Sequence, residues 1–134
     1  LSEDNSLYGV EAASEELIRL IQKHGRTITY ADAGSEELRY LDSVGAEANV
    51  GGPALTHILL RAAPSKVALL EEFLHGTQWR LGLIQRLGVA RAELAVKEFM
   101  LRHRRLLGIG DEDVAILWLL RDDAERIAGR GGSS

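Results

Sequence analysis

Hydrophobic and polar positions along the chain follow helical spacing almost everywhere. In "ASEELIRLIQKHG" a Ser14 cap precedes Leu17, Ile18, Leu20 and Ile21, which share one stripe, and Gly25 ends the run after Lys23 and His24. "GSEELRYLDSVG" repeats the grammar, with a Ser35 start, Leu38 and Leu41 facing inward and Gly45 as terminator. Between them "RTITYADAG" has a brief alternation at Ile28 and Tyr30 and reads as a loop. The stretch "GAEANVGGPALTHILLRAAP" reads as a glycine turn, then a helix with Pro53 in its first turn and Pro64 as its stop. Ser65 caps the next helix, which Gly76 ends or kinks, and Trp79, Leu83, Ile84 and Leu87 are core positions of its continuation.

Two related phrases follow, "LGVARAELAV" from Leu87 and "LGIGDEDVAI" from Leu107. Each places a glycine where a helix end turns left-handed, then a β-branched residue, then a new helix. The first of these helices carries Ala92, Val96, Phe99, His103 and Leu106 as one stripe. The second opens on Asp111, Glu112 and Asp113, suited to the positive end of the helix dipole, and is apolar on every side from Val114 to Leu120. The expectation is an all-α domain, a compact bundle of five to seven short helices with a central or dimer-forming C-terminal helix. Residues 1–13 read as a flexible N-terminal segment, 14–128 as the domain and 129–134 as a flexible tail.

Composition narrows this picture. At 134 residues, 46% hydrophobic and 27% charged, the chain has the length and apolar content of one globular domain. Its longest apolar run, Val114 to Leu120, is far short of the ~20 residues of a membrane span, so no membrane partner is expected. The absence of cysteine removes disulfides, thiol catalysis and thiolate metal sites, and a reducing cytoplasm is the simplest home.

Net charge is -4, yet the stretch from Gln78 to Leu107 carries seven bases against two acids, Glu93 and Glu98. With Gly88, Val89 and Leu94 it has the outline of a helix-turn-helix. Ile84 occupies the position of the small crossing residue, and Lys97 the position of a buried aliphatic. Were this segment to bind nucleic acid, Arg86, Arg91, Lys97, Arg102, Arg104 and Arg105 would make the contacts. Gly51 and Gly52 form a second anion candidate, a turn whose backbone N–H groups meet the expected helix start.

Glu71, Glu72 and His75 lie together in "EEFLH", where Glu72 and His75 have a Glu-x-x-His spacing used by helical carboxylate metal sites. No second motif of that kind occurs, so no metal, cofactor or catalytic set is expected. The leading expectation is therefore a non-enzymatic interaction domain, an adaptor or regulator that pairs with itself or another protein through Val114, Leu117, Trp118 and Leu120. A DNA-binding regulator using residues 83–105 is the alternative, and a small-molecule-binding bundle the next.

Overall fold

The computed structural model describes residues 9–52 and 55–131. In chain order these form α1 (Glu15–Lys23), β1 (Thr27–Ala31), α2 (Glu36–Val44), β2 (Ala48–Gly51), β3 (His57–Arg61), α3 (Lys66–Arg80), α4 (Leu83–Leu87), α5 (Val89–Arg102) and α6 (Asp111–Gly131). The all-α expectation is overturned: the described residues form six helices and a three-stranded mixed sheet of order β1-β3-β2, in which β3 pairs parallel with β1 and antiparallel with β2.

The reason lies in β3. A strand paired on both edges and covered on both faces is apolar throughout, a pattern that a short buried helix shares. Ile58 and Leu60 point into a cluster with Ile21, Ala48, Val50, Ala68 and Leu69, under α1 and α3. Leu59, on the opposite face, packs with Ala31, Leu41 and Ala46 beneath α2. The helix expected between Pro53 and Pro64 is therefore strand from His57 to Arg61; Pro53 itself lies outside the described residues. The alternation at Ile28 and Tyr30, read as a loop, is β1.

The expected caps form. Ser14 and Ser35 accept from Leu17 N and Leu38 N at 3.1 Å each, and Gly45 closes α2 with a φ of 67°. Ser65 Oγ accepts from Ala68 N at 3.2 Å while the buried Glu47 carboxylate accepts from Ser65 N at 2.5 Å, pinning the start of α3 to the sheet. Gly76 does not end α3. A Cβ there would stand 2.6 Å from Leu55 O and 2.9 Å from Arg26 Nε, so the glycine makes room for the Arg26 guanidinium, which stacks 4.6 Å from the centre of the Phe73 ring.

A second apolar cluster joins α3, α5 and α6 through Val67, Leu70, Val96, Met100, Leu101, Ile109 and Leu117. The buried face of α5 runs through Ala92, Val96 and Met100, while Phe99 and Leu106, expected inside, are exposed. The Asp113 carboxylate accepts from Val10 N at 2.7 Å and Glu11 N at 3.2 Å, and Ala13 N donates to Pro64 O at 2.9 Å, so residues 10–13 are held against the helices. At the other end α6 continues to Gly131, beyond the boundary expected at 128. Among the described residues no helix is long and apolar enough to cross a membrane.

Candidate metal centre

The interior between α3 and α5 is polar. Glu71, Glu72, His75 and Gln78 on α3 and Glu93 and Lys97 on α5 are all buried, with Glu71 and Lys97 each 1% exposed and His75 0%. Helical spacing explains the convergence: positions 71, 75 and 78 follow i, i+4, i+7 along one face, and 93 and 97 follow i, i+4 on the helix packed against it.

Four groups form an alternating ring. His75 Nε2 lies 3.5 Å from Glu71 Oε1 and 3.3 Å from Glu93 Oε2, and Lys97 Nζ lies 3.5 Å and 3.3 Å from the same two oxygens. One ligand atom each from Glu71, His75 and Glu93 falls within 4.8 Å of the others. The distances to His75 exceed those of a good charge-assisted hydrogen bond, and its buried Nε2 has no hydrogen-bond partner.

The histidine is aimed. Its Nδ1 lies 2.9 Å from Gln78 Oε1, and Gln78 Nε2 donates to Ala92 O at 2.9 Å. An amide nitrogen cannot accept and a carbonyl cannot donate, so the Ala92 carbonyl fixes the amide and the amide oxygen fixes the Nδ1–H tautomer. That leaves Nε2 to the carboxylates, the arrangement by which an outer carbonyl orients an imidazole ligand.

Charge at the site is tightly linked. Burial by itself would lower the His75 pKa, but Glu71 and Glu93 outweigh it and raise it to about 10. Glu72 is raised to about 7, first by burial and further by Glu71 and Glu93, against the opposing pull of His75. A protonated His75 and Lys97 thus balance Glu71 and Glu93, the pairing that lets charges persist away from water. Glu72 stands beside them with a carboxyl that titrates near neutrality.

Of the interface, nucleic-acid and anion candidates named from the sequence, Lys97 alone lies at this site. Lys97, grouped above with nucleic-acid contacts, is inside the ring and offers no charge to a surface ligand. Arg86, Arg91, Arg102 and Arg105 are exposed, and Arg104 is half-buried with its guanidinium donating to Leu101 O at 2.8 Å. Arg102, His103, Arg104, Arg105 and Leu106 line a shallow open depression.

Gly51 closes β2 and Gly52 has a φ of 85°, but the described chain after them enters β3, so the helix start that would complete an anion site is missing. On α6, Leu117 is fully buried in this chain's own core and Val114 and Leu120 are half-buried, while Trp118 is 49% and Leu119 71% exposed.

Glu93 is the member that sequence reasoning missed. A site on "EEFLH" lacked a further carboxylate, and Glu93 supplies it across a gap invisible to local spacing. The pair that converges on α3 is Glu71 with His75, one turn apart, in place of Glu72 with His75. The available signal was an apolar run interrupted by Glu71, His75 and Gln78 on one stripe, which a surface helix would not repeat three times. No protein-family model, curated protein or solved structure matches this chain, so its chemistry is argued from this geometry.

Proposed function

We propose that this protein is a metal-dependent hydrolase of the zinc class, with Glu71, His75 and Glu93 as ligands and Glu72 as general base. The observation that carries it is the convergence of one nitrogen and two carboxylate oxygens within 4.8 Å, on a histidine whose tautomer is fixed from behind. Three protein ligands with N and O donors leave a position for water, which distinguishes catalytic zinc sites from closed structural ones. Ligands at i and i+4 with a glutamate following the first repeat the layout of helical zinc-hydrolase sites, with Glu71 in place of the first histidine.

A bound ion of this class supplies Lewis acidity and an acidified water. The chain's own residues do the rest. Glu71 and Glu93 present anionic oxygens, Gln78 holds His75 in the ligating tautomer, and Glu72, at about 7, takes up and returns a proton at neutral pH. An acyl bond, ester or amide, is the substrate class this chemistry serves.

The test is zinc and cobalt titration of the purified, metal-stripped chain by calorimetry, followed by assay on a chromogenic ester and an unstructured protein. One tight site per chain, lost in His75→Ala and Glu93→Gln, is expected. A chain that binds neither ion leaves the ring as a metal-free ion cluster and overturns the reading.

An interaction domain remains the second reading, favoured by the exposure of Trp118, Leu119 and Leu106. It predicts a dimeric mass by light scattering that Trp118→Ala reduces to monomer. The nucleic-acid version predicts salt-sensitive binding to random duplex, weakened by Arg102→Ala or Arg105→Ala and unaffected through Lys97. On the absence of cysteine we propose a cytoplasmic setting.

A further inference from the structure

Lys97 is an unexpected occupant of a ligand cluster. Its Nζ contacts Glu93 Oε2 and Glu71 Oε1, the same two oxygens that face His75 Nε2. The side chain leaves α5 one turn after Glu93 and is buried with the ring. Its ammonium therefore stays within a few ångströms of any ion held there.

We propose that Lys97 sets the cation selectivity of this centre, acting as a tethered resident cation that excludes hard ions such as Mg2+ and Ca2+ and admits only ions able to bond the His75 nitrogen. The inference rests on the metal-site reading above. Once an incoming ion has displaced the His75 proton, two carboxylates and the Lys97 ammonium leave it one net negative charge, where two would stand without Lys97. Mg2+ and Ca2+ are held by oxygen number and charge, typically with six or more oxygens, and gain little from an imidazole. They meet a site whose two anionic oxygens already serve a cation. A zinc-class ion bonds the imidazole nitrogen as strongly as the carboxylates and tolerates low coordination, so it tolerates the repulsion. The ammonium then holds the outer lone pairs of both carboxylates and keeps them turned toward His75. Lys97 is thus a positioning residue and no ligand.

The experiment is calorimetric titration of the wild type, Lys97→Met and Lys97→Gln with Zn2+, Co2+, Mg2+ and Ca2+, with folding followed by circular dichroism. The wild type is expected to bind Zn2+ and Co2+ and to ignore millimolar Mg2+ and Ca2+. Lys97→Met should bind Zn2+ roughly tenfold more tightly or better and acquire Mg2+ or Ca2+ binding. Lys97→Gln, which still donates to the carboxylates, should shift the same way and decides the matter if the methionine variant does not fold. Variants that fold only with metal bear the proposal out if Mg2+ or Ca2+ restores folding as Zn2+ does, and overturn it if Zn2+ or Co2+ alone does. Zinc affinity unchanged or weakened in a folded variant, with Mg2+ and Ca2+ still excluded, overturns it while leaving the site intact. Failure of both variants to fold even with zinc overturns it too, by making Lys97 a structural requirement. Absence of zinc binding in wild type and variants alike removes the site reading and this proposal together.

Discussion

Helix α3 is buried on two sides, and the two sides are built on opposite principles. Toward the sheet it presents Ala68 and Leu69 to Ile58, Leu60 and Val50, a contact held by area and close packing. Toward α5 it presents Glu71, His75 and Gln78, whose burial is tolerated only because each charge meets an opposite one. The apolar side stabilises the fold whatever its detailed composition. The polar side contributes little net stability and demands specific partners, so its presence in a small domain is an argument for chemistry.

Substitutions should separate the two sides cleanly. The largest effect is expected from Glu72→Gln, which removes the general base: hydrolysis should fall by ~10²–10⁴-fold while zinc affinity changes little. An unchanged rate would return the polar side to a purely structural role. Leu69→Ala, on the apolar side, should cost about 2–5 kcal/mol in urea unfolding and leave one zinc site per chain. Loss of zinc binding in that variant would show that the two sides are one cooperative unit.

The pH dependence of stability sharpens the contrast further. Glu72 holds its proton up to about 7 against an ordinary 4.5, and His75 up to about 10 against 6.5. In both cases the folded state binds more protons than the unfolded one, so unfolding free energy falls as pH rises. For the metal-free protein the fall should run from about pH 4.5 to 7 through Glu72 and from about 6.5 to 10 through His75. Zinc, by displacing the His75 proton, should flatten the upper part and release about one proton per ion, read by calorimetry in buffers of different ionisation enthalpy. A metal-free stability that rises across this window would contradict the charge assignment. The smallest effect concerns Gln78: Gln78→Ala frees the imidazole to rotate and should weaken zinc about 10–100-fold without abolishing it.

Much of the helical framework was legible along the chain. Ser14, Ser35 and Ser65 cap as their spacing requires, and Gly45 and Gly88 take the positive φ that their places after helix ends imply, whereas Gly108, also at positive φ, closes a turn that follows the end of α5 at Arg102. These signals are local, and local backbone geometry answers to them. The sheet was not legible, because β3 is covered on both faces and its run of Ile58, Leu59 and Leu60 lacks the alternation that marks a half-exposed strand. The α5 stripe was displaced for a related reason. The buried pair Glu93 and Lys97 shares the inward face of α5 with Met100 and leaves Phe99 outside, while Leu106 lies beyond the end of the helix at Arg102.

What the sequence determined by itself was where helices start and stop, since caps and glycine turns act over three or four residues. Tertiary structure alone decided that a glutamate and a lysine on α5 complete a set begun by a glutamate and a histidine on α3. That choice depends on electrostatic pairing across a helix–helix contact, where a charge that patterning assigns to water finds its opposite inside.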